Sequence, residues 1–79
     1  MQPTEIRRHS VTLQGHRTSI GLENAFWERL KIIASKRGVS MNSLIAEIDE
    51  RRNGNLSSAL RVLVLEDTLH ESGNSIGLT

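Results

Sequence analysis

The hydrophobic pattern of residues 16–33, "HRTSIGLENAFWERLKII", changes its period in the middle. From Arg17 to Leu22 polar and apolar residues alternate, which places Ile20 and Leu22 on one face of a strand. From Phe26 onward the apolar residues recur at helical spacing. A short strand therefore leads directly into a helix. Because an unpaired strand leaves its backbone N–H and C=O groups without partners, this strand needs a neighbour.

Two partners are available for the strand at residues 17–22. Residues 10–14, "SVTLQ", also alternate, but their apolar residues are odd-numbered whereas those of the following segment are even-numbered. Either a bulge or a turn at "QGH" accounts for this change of parity. The other partner is the same strand of a second chain, since antiparallel pairing about a twofold axis satisfies both copies and joins their apolar faces into one core.

The size of the chain favours association. A domain of 79 residues hides only about 60% of the surface that its unfolded chain exposes, so its core is marginal. The chain contains no cysteine, which excludes disulfides and thiolate metal sites, and its three histidines are too scattered to suggest a metal site. Oligomerisation remains as the source of additional stability, and neither a metal nor a cofactor is expected.

Three helices are predicted after the strand, at about residues 24–37, 41–52 and 56–69. Gly38 ends the first helix, Ser40 caps the second, and the "NGN" at 53–55 separates the second from the third. The predicted fold is mainly α with one short N-terminal β-strand. The predicted domain covers residues 10–69, between a flexible N-terminal arm at 1–9 and a flexible tail at 70–79.

Charge and motifs narrow the class of function. The net charge is +1, but residues 1–22 carry three arginines against one glutamate, whereas residues 53–79 carry one arginine against three acidic groups. This asymmetry indicates an anionic partner for the strand end. A glycine-rich phosphate loop and a nucleophile beside a base are both missing, so the chain is not expected to be an enzyme. Its longest apolar run is too short to cross a bilayer, and a cytoplasmic location is expected.

The order of a strand, a helix ending in glycine and then "GVSMNSLI" at residues 38–45 resembles the ribbon-helix-helix family of bacterial and phage DNA-binding proteins over residues 17–52. The resemblance implies an intertwined homodimer whose intermolecular antiparallel ribbon enters the major groove of double-stranded DNA. It also implies that the start of the second helix lies on phosphate. The longer layout, with an additional third helix, resembles a bacterial subgroup of this family.

The resemblance assigns roles to three sets of residues. The outward strand positions that face DNA bases are Arg17, Ser19 and Gly21. The phosphate-binding set combines the start of the second helix, where backbone N–H groups are unpaired, with two arginines of the arm: Ser40, Met41, Asn42, Ser43, Arg7 and Arg8. The expected dimer core consists of Ile20, Leu22, Phe26, Leu30, Ile45 and Ile48.

The sequence therefore predicts a homodimeric, sequence-specific DNA-binding regulator, a repressor, in which no residue is catalytic. The alternative is a protein-interaction module, such as an antitoxin that neutralises a toxin partner. The sequence leaves open a higher even oligomer and a protein partner for the third helix.

Overall fold

The computed structural model describes residues 2–51 and 54–76, which form a β-hairpin followed by three helices. The elements are β1 Ile6–Leu13, β2 His16–Glu23, α1 Asn24–Arg37, α2 Met41–Arg51 and α3 Leu56–Ile76. A mainly helical fold with a small N-terminal sheet is therefore confirmed. The prediction of one strand was wrong, because the chain forms two strands that pair with each other.

The hairpin pairs β1 with β2 in antiparallel register, with Leu13 opposite His16 and Ile6 opposite Glu23. The connecting residues, Gln14 and Gly15, have φ angles of 52° and 82°. Left-handed backbone at both positions is typical of the two-residue turn whose twist matches that of the strands. This turn explains the change of parity. Each pair of residues that face each other across the hairpin contains one odd-numbered and one even-numbered residue. The odd-numbered apolar residues of β1 therefore lie on the same face as the even-numbered apolar residues of β2.

Residues 2–5, which belong to the flexible arm predicted at 1–9, are hydrogen-bonded in this structure and contact the start of α1, whereas Met1 lies outside the described residues. Strand β1 begins at Ile6, and the residues before it cap the helix. The N–H of Asn24 donates to the carbonyl of Glu5 at 2.9 Å, and the N–H of Ala25 donates to the carbonyl of Pro3 at 3.0 Å. The first turn of a helix lacks internal acceptors for its N–H groups, and these carbonyls supply them.

Glu23, at the N-cap position of α1, does not cap the helix with its side chain. Its carboxylate accepts instead from Arg61 of α3, at 3.0 Å from Nε and 2.9 Å from the terminal nitrogen. The hydrogen bond from Arg61 lowers the pKa of Glu23. The Arg61 guanidinium also lies 5.9 Å from the centroid of the Phe26 ring. These contacts hold the first part of α3 against the start of α1.

The ends of the helices follow from local caps and from contacts with other elements. Helix α1 ends at Gly38, which has a φ angle of 70° and donates its N–H to the carbonyl of Ser35. Helix α2 begins after Ser40, whose Oγ accepts the N–H of Ser43 at 3.0 Å. Helix α3 continues to Ile76, so residues 70–76 of the predicted tail are helical. Arg52, the predicted end of the second helix, and residues 77–79 of the predicted tail lie outside the described residues.

An ion-pair cluster fixes the later part of α3 to α1. Arg29 donates to Asp67 at 2.9 Å, and both Arg29 and Lys36 contact Glu71. The hydrogen bond from Lys36, followed in size by the one from Arg29, lowers the pKa of the Glu71 carboxyl group. Because these contacts involve residues 67 and 71, they favour a helix that extends past residue 69.

The core lies between the inner face of the hairpin and the three helices, and every element contributes to it. Its buried apolar side chains are Val11, Ile20, Leu22, Leu30, Ile33, Ala34, Leu44, Ile45, Leu60 and Val64. Partly buried apolar side chains pack around this set, among them Trp27 of α1 and Met41 of α2. One chain thus encloses its own core, with α3 covering the side that the hairpin leaves open.

Asn42, at the start of α2, is hydrogen-bonded to the outer edge of β1. Its Oδ1 accepts the N–H of Thr12 at 2.8 Å, and its Nδ2 donates to the carbonyl of Thr12 at 2.8 Å. The carboxamide thereby pairs with both backbone groups of Thr12, as a neighbouring strand would. The turn end of the hairpin is therefore tied to the start of α2.

The turn provides a test of the hairpin. Gln14→Asn places a residue that tolerates left-handed backbone at position 14 and should stabilise the fold by about 0.5–1 kcal/mol, part of the roughly 1–2 kcal/mol that this conformation costs ordinary residues. A domain of this size should then melt about 2–8 °C higher. Gly15→Ala is the control and should lower the melting temperature, because alanine is strained at a φ of 82°. An unchanged melting temperature for Gln14→Asn would contradict the turn.

The bond between α2 and β1 provides a second test. Asn42→Ala removes two hydrogen bonds and should lower the free energy of unfolding in urea by about 1–2 kcal/mol. Hydrogen exchange at the Thr12 amide should also become faster. The matched control is Ser43→Ala, the next residue of the same helix turn, whose hydroxyl contacts Ser40. Equal losses for the two variants would show that the Asn42 side chain does not hold the strand.

Candidate nucleic-acid interface

The outer face of the hairpin, on the side away from the helices, carries three facing pairs of residues from the two strands. The pairs are Arg8 with Gly21, Ser10 with Ser19, and Thr12 with Arg17. All of these residues are exposed except Gly21, which is half-buried. We call this surface the ribbon face. These three pairs hold two guanidinium groups, three hydroxyl groups and no carboxylate. The next pair of the same alternation, at the open end of the hairpin, joins the exposed Ile6 to Glu23, whose carboxylate is paired with Arg61.

The inner face carries the pairs that alternate with those of the ribbon face. Val11 and Ile20 lie on it and are buried against the helices. Arg7 belongs to the same side of β1, at the open end of the hairpin, and its guanidinium lies 3.4 Å from the Glu5 carboxylate. Arg7 and Arg8, which were predicted together as arm residues for phosphate, therefore lie on opposite faces of one strand.

Gly21 contributes backbone to the interface. Its carbonyl accepts from Ser57 Oγ at 3.0 Å, which ties β2 to the start of α3. A β-carbon at position 21 would lie 3.6 Å from Ile6 Cγ2, an ordinary contact distance. Packing therefore does not require glycine here, and Ile6 is the side chain nearest to this position.

The start of α2 lies next to the turn end of the ribbon face. Asn42 is bonded to Thr12, and Thr12 is the partner of Arg17, so two of the predicted DNA-contacting regions adjoin each other. Ser40 is the helix cap, as its hydrogen bond to the Ser43 N–H shows. Met41 is half-buried against the core and offers its backbone N–H rather than its side chain.

The predicted dimer core is largely covered within one chain. Ile20, Leu22, Leu30 and Ile45 are all buried without a second copy, and Phe26 and Ile48 are half-buried against them, so the six residues that were predicted to meet across a dimer already pack together. Neighbours from β1 and α3 of the same chain contribute to this burial.

An exposed apolar surface remains on α3. Val62, Leu65 and Leu69 recur at helical spacing and are 52%, 55% and 60% exposed. Val62 and Leu65 also line a groove of about 300 Å³ together with Phe26 and the stem of Arg61. We call this surface the α3 face.

His9 is packed on the inner side of the hairpin against α1. Its ring is parallel to that of Trp27 within 5°, with 3.6 Å between the ring centroids. The buried Nε2 atom has no hydrogen-bond partner within residues 2–51 and 54–76. Burial, followed by the positive charge of Arg7, lowers the pKa of His9. The neutral ring therefore serves packing at the open end of the hairpin.

Sequence reasoning missed the contribution of β1 to the ribbon face, namely Ser10, Thr12 and the outward direction of Arg8. A signal was present in the alternation of "SVTLQ" and the Gln-Gly pair that follows it. A two-residue turn reverses the parity of the apolar positions, and the sequence shows such a reversal.

Across residues 2–51 and 54–76, histidine, aspartate and glutamate side chains nowhere form a group of three or more that could hold a metal ion. None of the described helices combines the length and the apolar character needed to cross a membrane.

Comparisons with known proteins agree with the geometry. The chain matches the family model described as the ribbon-helix-helix domain over residues 6–68. It is also similar to the solved structure of an uncharacterized protein from Bordetella pertussis Tohama I, with 27% identity and a TM-score of 0.80. That match covers 91% of this chain and 62% of the other, so this chain spans less than two thirds of that protein. The comparison with curated proteins finds no match.

The family match includes the hairpin, α1, α2 and most of α3, and thus contains both regions that form the candidate interface. Members of this family generally bind DNA and act in regulation rather than in catalysis. On the evidence of its sequence and its fold, this chain belongs to the ribbon-helix-helix domain family.

Proposed function

We propose that this protein is a sequence-specific DNA-binding transcriptional regulator, acting as a repressor, which reads duplex DNA with the ribbon face. The observation that carries the proposal is the composition of this face, whose facing pairs are polar, are exposed except for Gly21 and contain two arginines without a carboxylate. A two-stranded ribbon fits the major groove, where each base pair presents its own pattern of donors and acceptors. The membership in a DNA-binding family supports the same function.

The side chains suit that role chemically. The guanidinium of Arg17 can donate two hydrogen bonds to O6 and N7 of a guanine, and the hydroxyl of Ser19 can donate to or accept from a base edge. Phosphate contacts fix the position of such a ribbon without reading sequence. We assign them to the start of α2, where the N–H groups of Met41 and Asn42 precede the first hydrogen bonds within the helix and Ser40 supplies a hydroxyl.

We place the homodimer contact at the α3 face, because the apolar residues of the strands and of α1 and α2 are largely occupied within the chain. Antiparallel packing of two α3 helices about a twofold axis would set Val62 of one copy beside Leu69 of the other. It would also bring the basic part of the helix, at Arg61, towards the acidic part that begins at Glu66. Family members generally bind DNA as dimers, which supports a second copy as the occupant.

The first test concerns Arg17. Selection from a random duplex library defines the preferred site, and Arg17→Ala should then lose about 1–3 kcal/mol of binding free energy for that site and relax the preference at one base pair. Arg51→Ala is the control, since Arg51 ends α2 far from its start, with its side chain 70% exposed. If Arg17→Ala and the wild type bind the site equally in a titration, the ribbon face is not the reader.

The second test concerns the dimer. Leu65→Lys places a charge on the α3 face and should convert the protein into a folded monomer, because Leu65 is exposed within the single chain. Sedimentation equilibrium over a range of concentrations measures the mass, and circular dichroism confirms the fold. Ile32→Lys, an exposed apolar position on α1, should leave the dimer intact. A Leu65→Lys protein that remains dimeric would place the contact elsewhere.

A further inference from the structure

The two strands of the hairpin supply different parts of the ribbon face, and this difference extends the proposed function. We infer that the β1 part of the face contacts the phosphate backbone of DNA, whereas the β2 part, with Arg17 and Ser19, contacts the bases. The β1 part consists of Arg8, Ser10 and Thr12, and we call it the β1 row. The inference rests on the proposed DNA binding and names a site that this proposal leaves unassigned.

The position of α2 indicates which strand of the hairpin lies nearer to phosphate. The proposed function assigns phosphate contacts to the start of α2. Asn42, in this first turn, is bonded to both backbone groups of Thr12 at 2.8 Å. These bonds use the edge of β1 that faces away from β2, since the other edge pairs with β2. Strand β1 therefore lies between the start of α2 and β2, on the phosphate side of the hairpin.

The width of the major groove agrees with this division. The groove is about 12 Å wide, so its phosphate walls lie about 6 Å from its midline. Neighbouring strands of a sheet lie about 4.8 Å apart. When the outward side chains of β2 contact bases near the midline, β1 is displaced to one side by almost the half-width of the groove. Its outward side chains are then within reach of the phosphates of one wall.

The side chains of the β1 row are of the types that contact phosphate in protein–DNA complexes. Arginine, serine and threonine donate hydrogen bonds to phosphate oxygens, and such contacts fix the position of a protein without reading sequence. All three residues are exposed, and Asn42 engages only the backbone of Thr12. Within residues 2–51 and 54–76 Arg8 forms no ion pair, so no carboxylate of this part of the chain neutralises its charge.

The β1 row is continuous with the start of α2. Arg8 and Thr12 are four residues apart, which corresponds to about 14 Å along a strand. At the turn end of the hairpin Thr12 meets Asn42, and beyond Arg8 the next outward residue of β1 is the exposed, apolar Ile6. The polar surface offered to one DNA backbone therefore extends from Arg8 to the start of α2.

Arg7, the neighbour of Arg8, does not belong to the β1 row. It is directed to the other side of the strand, and its guanidinium lies 3.4 Å from the Glu5 carboxylate. The sequence-based expectation placed both arginines on phosphate, whereas the inference keeps only Arg8 there. The two residues thus provide a matched pair of equal charge, of which only one lies on the ribbon face.

The experiment titrates the full chain, over a range of salt concentrations, with the duplex that the wild type selects and with an unrelated duplex. Arg8→Ala should weaken binding to both duplexes by a similar factor and leave the selected base preferences unchanged. Each neutralised phosphate contributes about 0.9 to the slope of log K against log salt concentration, so a dimer with two copies of Arg8 should lose about 1.8 of this slope. Arg7→Ala is the matched control and should keep the wild-type slope.

Two further variants test the chemistry of the contacts. Lysine keeps the charge but lacks the planar fork that matches a base edge, so Arg8→Lys should retain both the salt slope and the base preferences. Thr12→Val removes a hydroxyl group and keeps the side-chain shape, and it should weaken binding to both duplexes by roughly twofold to tenfold. Its control is Thr18→Val, because Thr18 faces Val11 on the inner side of the hairpin. Circular dichroism confirms that each variant is folded.

The outcomes distinguish the inference from the proposed function. If Arg8→Ala relaxes the preference at one base pair and keeps the salt slope, Arg8 contacts a base, and the inference is overturned while DNA binding stands. The same holds if Arg8→Ala binds like the wild type, or if Arg7→Ala loses as much slope as Arg8→Ala, since the effect is then one of net charge. A wild-type protein that enriches no sequence from the library would overturn the proposed function and the inference with it.

Discussion

The pairing of β2 with β1 inside one chain is the interaction on which the rest of the structure depends. It satisfies the backbone of a strand that leads directly into a helix and that would otherwise require a second chain. The two-residue turn at Gln14 and Gly15 sets the register, and the register decides which side chains enter the core and which form the ribbon face. A shift by one residue would exchange the two faces.

The helices complete what the hairpin begins. Helix α3 covers the open side of the core with Leu60 and Val64 and is fixed to α1 at two places, by Arg61 with Glu23 and by the cluster around Glu71. Helix α2 is fixed to the hairpin through Asn42. The two parts of the candidate interface, the ribbon face and the start of α2, are therefore joined by direct hydrogen bonds.

Much of this fold could be predicted from the sequence, because its signals are local. Each of these signals depends only on residues that are close in the sequence. They are the alternation at residues 17–22, the helical spacing after Phe26, the glycine at 38 and the cap at Ser40. The partner of the strand could not be predicted in the same way. A change of parity is compatible with a bulge as well as with a turn, and the choice between pairing within one chain and between two chains depends on whether α3 can close the core.

The residues of the candidate site also divide into those whose position local patterns predict and those whose position depends on distant contacts. Arg17 and Ser19 were placed outward by alternation alone, and the structure has them exposed on the ribbon face. The role of Asn42 was not predictable, because it depends on a backbone 30 residues away in the sequence. The docking of residues 2–5 on α1 depends on similar distant contacts, because the carbonyls of Pro3 and Glu5 accept from the N–H groups of Ala25 and Asn24. The contacts that local reasoning could not predict were thus those between elements that are distant in the sequence.

The most direct test of this account is an isotope-filtered nuclear Overhauser experiment on a mixture of labelled and unlabelled chains that have been unfolded and refolded together. The account predicts that the contact between the α-protons of Ser10 and Ser19, which face each other across the hairpin, arises within a single chain and is absent from the spectrum filtered for contacts between chains. Appearance of this contact between chains would mean that the hairpin is exchanged between copies. That result would contradict the pairing of β1 with β2 inside one chain, on which this account depends.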